Sequence, residues 1–205
     1  MRKFQKNKNV KRFLSYVKKE LKTAGFSIKI SPTLNVFTPC KLKTSGYFLL
    51  DTKQIVVAGK SRWLEVLTHE FCHFLQYTSQ CKQWITTNEL DRCGYTIENI
   101  VDQKIKFTKP EINLIVEANR NLELDCEKRT VQLIQEWGLP INVEEYIQDC
   151  NVYLFLYTHI NKNRKWHKKY PGDLPEIQEM VPTKFLKSYK KMPKGFEEMV
   201  NNNCF

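Results

Sequence analysis

His69, Glu70 and His73 stand in the order His-Glu-x-x-His within the stretch Val66-Leu67-Thr68-His69-Glu70-Phe71-Cys72-His73-Phe74-Leu75. On a helix, residues four apart lie about 40° apart around the axis, so the two imidazoles can reach one small cation. Glu70 follows the first histidine directly. That places its carboxylate beside such a cation without ligating it, where it can take a proton from an activated water. The chemistry on offer is metal-assisted hydrolysis.

The surroundings suit a helix. From Val66 to Leu75 there is no Pro, no Gly and no charge except Glu70, and Trp63, Leu67, Phe71 and Phe74 fall on the side away from the histidines. With four histidines in the chain, the pattern would arise by chance in roughly one shuffled sequence in 150 to 200. The competing reading is a core helix with two incidental, hydrogen-bonded histidines. Against it, a glutamate buried on so apolar a helix without a task is costly.

A catalytic zinc site needs a third protein ligand and an open position for water. A metzincin would supply Gly and His at the third and sixth positions after His73, but Gln76 and Ser79 stand there. SprT-like proteases use a histidine shortly downstream, whereas His159 and His167 lie more than eighty residues away. A carboxylate on a later helix is the better source. In Asn121-Leu122-Glu123-Leu124-Asp125-Cys126-Glu127, Glu123 and Glu127 share a helix face beside the apolar stripe, and Asp125 points roughly opposite, toward solvent. Glu123 is thus the expected ligand, with Glu127 holding a ligand imidazole by a hydrogen bond. The alternative is a solvated face on which these acids pair with Arg120, Lys128 or Arg129.

Several elements must position these groups. Residues 1–9 are expected to be disordered, followed by an amphipathic helix from Val10 to Ala24 with Gly25 as its stop. Phe26 to Ile30 alternates as a strand, and a short extended piece follows near Leu34 to Phe37. Tyr47 to Leu50 and Gln54 to Ala58 form a hairpin around Asp51-Thr52-Lys53. Ser61 can cap the motif helix. Cys81 to Thr108 reads as a long connection with a strand-like Ile105-Lys106-Phe107. A second long helix runs from Pro110 to Trp137, and Asn142 caps a third. After it, Pro175, Pro182 and Pro193 allow only short helices.

Helix, strands and then the His-Glu-x-x-His helix is also the layout of the minimal zincin fold. The two motifs resemble those of the gluzincins, and in particular the ImmA/IrrE-type minimal gluzincins, whose ligand glutamate is followed three residues later by a small residue, as Cys126 follows Glu123. Where gluzincins usually carry Asp or Asn, this chain has Glu127. The resemblance spans about residues 46–137. It implies an α+β zincin-like fold, with a small mixed sheet against the motif helix and a second long ligand-bearing helix. It also implies a peptidase whose cleft-edge strand pairs with the substrate backbone. The expected centre is Zn²⁺ on His69, His73 and Glu123 with Glu70 as general base. Tyr157, His159 and His167 are candidates by residue type for steadying the oxyanion.

A chain of 205 residues with 41% hydrophobic residues and twelve Phe can build one real core. The expected division is a catalytic domain over 1–159 and a basic extension over 160–205. The start, Met1-Arg2-Lys3-Phe4-Gln5-Lys6, lacks the apolar run of a signal peptide, and no stretch reads as a membrane span, so a soluble cytoplasmic protein is expected. Seven scattered cysteines without a C-x-x-C pair suit reduced thiols. The net charge of +11 sits at the ends: residues 1–24 hold nine Lys/Arg against Glu20, and residues 160–195 hold ten against three acids. Lys162, Arg164, Lys165, Trp166, Lys168 and Lys169 mix positive charge with a stacking ring, which suits single-stranded nucleic acid. Besides a peptide-cleaving enzyme acting on a protein or peptide substrate, two further readings follow. One is a nucleic-acid-binding protein on a zincin scaffold without turnover, and the other is a protease recruited to nucleic acid.

Overall fold

The side-chain oxygen of Asn7 accepts from the backbone N–H groups of Asn9 (2.9 Å) and Val10 (3.3 Å), and helix α1 follows over Lys8–Thr23. The structure is a computed structural model that describes residues 7–39, 41–60 and 62–205. The expected disorder of residues 1–6 and the expected cap at Ser61 therefore lie outside the described residues. Residues 7–9 correct the expectation of disorder: Asn7 supplies the acceptor that an open helix end needs, so the helix begins before its first apolar residue. α1 buries Val10, Phe13, Val17 and Leu21 and ends at Gly25 (φ 76°), where Phe26 N–H reaches back to the Leu21 carbonyl (2.8 Å).

Five strands follow: β1 (Ser27–Ser31), β2 (Val36–Phe37), β3 (Lys43–Thr44), β4 (Gly46–Leu49) and β5 (Gln54–Ala58). The expected hairpin is present as β4 and β5, paired antiparallel. β1 runs parallel to β5 on its other side, and β2 and β3 form a separate ribbon. The central strand is the apolar one, with Ile55, Val56, Val57 and Ala58 all buried. Helix α2 (Trp63–Ser79) packs on β4 and β5. Its Phe71 meets Phe13 and Tyr16 of α1 edge-on, and its Phe74 meets Phe26 and Phe48. The architecture is α+β with a small mixed sheet.

Two compact units divide the chain, residues 1–79 with 128–141, and residues 80–127 with 142–205. The second unit is helical: α3 (Lys82–Arg92), α4 (Ile97–Asp102), α5 (Lys109–Glu136, up to Glu127 in this unit), α6 (Val143–Asn163), a 3₁₀ turn (Pro171–Asp173), α7 (Pro175–Gln178) and α8 (Phe196–Cys204). Here the connection expected over Cys81 to Thr108 is corrected. α3 buries only Thr87, which explains its faint periodicity. Gly94 (φ 76°) stops it, and Thr96 Oγ1 caps α4 by accepting from Asn99 N–H (3.2 Å). The expected strand at Ile105–Phe107 is absent; Phe107 packs instead on the core formed by α4, α5 and α6.

α6 starts as its sequence suggests, with Asn142 Oδ1 accepting from Glu144 and Glu145 N–H. It is buried nearly all round because two cores share it. The second core takes in Ile177, Val181, Tyr189, Phe196 and Val200 from the C-terminal segment. Asn151 Nδ2 pins that segment by donating to the carbonyls of Pro182 (2.7 Å) and Lys184 (3.0 Å). Among the described residues no helix is long and apolar enough to cross a membrane.

Candidate metal centre

α2 separates its two jobs by face. Trp63, Leu67, Phe71 and Phe74 are buried at 3% exposure or less, and His69 and His73 sit half-buried on another face. The Nε2 atoms of His69 and His73 lie 3.1 Å apart. Two tetrahedral ligands with metal–nitrogen bonds near 2.05 Å would stand about 3.3 Å apart, so the pair is spaced to share one ion. Gln76, which occupies the position a metzincin would give to Gly, has its own use. Its Oε1 lies 2.8 Å from His73 Nδ1 and accepts the proton there, which leaves the Nε2 lone pair to face an ion.

Glu70, 8% exposed, lies on α2 close to β4. A Cβ built on Gly46 would fall 3.4 Å from Glu70 Cγ and 2.4 Å from Val66 Cγ1. The first residue of β4 must therefore be glycine for strand and helix to approach this closely. Among the described residues β4 pairs on one side only, with β5.

α5 carries the expected carboxylates. Arg120, one of the cations that could have paired with them, turns instead to Thr158 Oγ1 (3.1 Å). Glu127 is 5% exposed and accepts a hydrogen bond from the Tyr146 hydroxyl at its Oε2. Burial, followed by the neighbouring Cys150 and Glu127, holds the Tyr146 phenol well above its usual pKa. Burial and then Glu127 do the same for the Cys150 thiol, so both remain protonated donors. Asp125, expected to meet solvent, is partly buried. Leu124 beside it packs against the core of α6 and the C-terminal segment, so that flank of α5 is covered.

Two overlapping groups of donor atoms each lie within 4.8 Å of one another: those of His69, His73 and Cys126, and those of His69, Glu123 and Glu127. Such a His-His-Cys or His-Glu-Glu cluster is a possible metal site, and its nitrogen, oxygen and sulfur donors suit several divalent transition metals. His69 belongs to both groups, His73 only to the one with Cys126, and Glu123 only to the one with Glu127, so neither group is the expected set of His69, His73 and Glu123, and Glu127, expected to hold an imidazole, stands among the donors. Cys126 was expected only as a small neighbour. Its spacing of three from Glu123 and one from Glu127 would have placed its thiol on the same flank.

Tyr157, His159 and His167 fall differently. Tyr157 is buried on α6, its hydroxyl 3.2 Å from that of Tyr153, and its pKa is raised by burial, then by Tyr153 and Glu123. His159 bonds Asn201 Oδ1 (2.8 Å) and stacks on Phe205. His167 stacks on Trp166, and burial lowers its pKa. Of the three, Tyr157 is the one coupled to an expected ligand.

No family model, curated protein or solved structure matches the chain.

Proposed function

We propose that this protein is a zinc-dependent peptidase of the zincin type, with the ion on His69, His73 and Glu123 and with Glu70 as general base. The observation that carries the reading is the pair of imidazole nitrogens 3.1 Å apart on the helix that also buries Glu70. When bound, a zinc ion supplies Lewis acidity, lowering the pKa of water toward about 7 and polarising a carbonyl. Glu70 then takes the proton of the attacking water and returns it to the leaving amine. Gln76 fixes the tautomer of His73. Glu127, steadied by Tyr146 and Cys150, orients an imidazole. Tyr157, protonated at neutral pH, is the candidate donor to the oxyanion. β4, with an edge beside Glu70, offers backbone groups to an extended peptide. The reading makes the protein a hydrolase that acts on polypeptides.

The test is a single substitution. Glu70→Gln keeps shape and ligands but removes the base, so it should retain bound metal while peptide-library cleavage falls roughly 10²- to 10⁴-fold. Turnover by the variant equal to that of the parent would reject the mechanism.

A further inference from the structure

The hydrolytic reading leaves the basic C-terminal segment without a role. α6 ends at Arg164, whose left-handed conformation (φ 55°) turns the chain outward into residues 165–170. The Lys168 and Lys169 N–H groups donate to the Cys204 carbonyl (2.8 and 3.3 Å), which ties this loop to the end of α8. At its tip Trp166 is 41% exposed. One face of its ring lies on His167, with centroids 5.1 Å apart at 29°, and His167 in turn leans on Tyr170. An indole stacked on one neighbour and still this exposed has ring area left for a base.

A cleft of about 640 Å³ opens along the other end of α8. Lys190, Lys191, Asn201 and Asn202 line it with Met192 and Pro193. Lys162 and Glu197 also line it but are committed to each other at 2.7 Å, so that pair adds little net charge. Lys190 approaches Glu117 only at 3.8 Å, with both side chains largely in water, a contact of little strength. Glu198 lines it as well, exposed to water, so three lysines stand against two glutamates and Lys190 and Lys191 leave the cleft a net positive charge of one. The asparagines add amide donors and acceptors.

We propose that this surface binds single-stranded nucleic acid, with a base stacked on Trp166 and phosphates on Lys165, Lys168, Lys169, Lys190 and Lys191. Charge complementarity favours a polyanion, and the exposed indole favours one with exposed bases. An anionic membrane would need apolar side chains to insert, whereas α8 turns Glu197, Glu198, Asn201 and Asn202 to the cleft. None of these residues belongs to the donor groups of the metal centre.

The test is fluorescence anisotropy of labelled oligo-dT and oligo-U with the full chain over a range of salt. Affinity should fall as salt rises. Lys190→Gln with Lys191→Gln should weaken binding and reduce the salt slope by about 1.4, at roughly 0.7 per phosphate contact on a single strand. Trp166→Ala should weaken binding roughly 5- to 100-fold at every salt concentration with the slope unchanged, as loss of one stacked base predicts. All three positions are exposed, so the variants test the surface rather than folding. Absence of salt-sensitive binding by the parent, or parent-like binding by both variants, would overturn the proposal. So would binding to phosphatidylserine vesicles, with none to the oligonucleotides, that Trp166→Ala leaves intact.

Discussion

Five residues of α5 hold three acids and a thiol, and which of them meets the ion decides what the centre can do. Glu123 leaves a hard, anionic ligand and an exchangeable position; Cys126 would make a softer site that binds its ion more tightly. The proposed function requires Glu123. Glu123→Ala should therefore lower zinc affinity most, and Glu127→Ala, with its proposed role of holding an imidazole, should lower it about 10- to 100-fold; a loss as large as that of Glu123→Ala would make Glu127 a ligand. Asp125→Ala should leave it nearly unchanged, since Asp125 belongs to neither donor group. Competition with a chromophoric chelator ranks the three, and Asp125→Ala as the worst of them would break the assignment. Cobalt substitution addresses the thiol. The Co²⁺-loaded protein should show no near-ultraviolet sulfur-to-cobalt charge-transfer band; a strong one that Cys126→Ser removes would move the third ligand to Cys126.

At the scale of elements, the tightest constraint on Glu70, the proposed base, is the contact of β4 with α2. Gly46→Ala pushes a methyl carbon to 2.4 Å from Val66 Cγ1 and 3.1 Å from the Val56 carbonyl, an overpacking that should cost about 1–3 kcal/mol and displace Glu70. Adding Val66→Ala should recover part of both stability and turnover, a coupling that denaturant unfolding and peptide assays can measure in a double-mutant cycle. Strict additivity would mean that this contact does not position the base. The sequence made α2 legible because its histidines and its phenylalanines obey one helical period on two faces, and it made β4, β5 and the Asn142 cap legible through turn and cap chemistry. It hid α3 and α4, whose single turns of burial leave no stripe, and β3, a two-residue strand that exists only through its partner β2. The parallel pairing of β1 with β5 joins residues 27 apart in the chain and has no local signal. The partners of Glu127 were hidden for the same reason: Tyr146 and Cys150 reach it only through the tertiary fold.

At the scale of the whole molecule, the proposed hydrolytic centre and the proposed nucleic-acid surface of the C-terminal segment are each open to their own test. A metal held only by the folded chain also stabilises it, by about 2.7 kcal/mol at a hundredfold excess over Kd. For a chain of this size, removing the metal with chelator should lower Tm by about 5–11 °C. Such a shift, reversed by zinc and absent in His69→Ala, would tie stability to the centre; an unchanged Tm would count against it. The most direct test of the central claim is elemental analysis of the protein purified without added metal. One equivalent of zinc per chain, lost on replacing His69 and His73 together by alanine, is the result predicted. A metal-free parent that also fails to take up zinc, or a double variant that keeps its full equivalent, would contradict it.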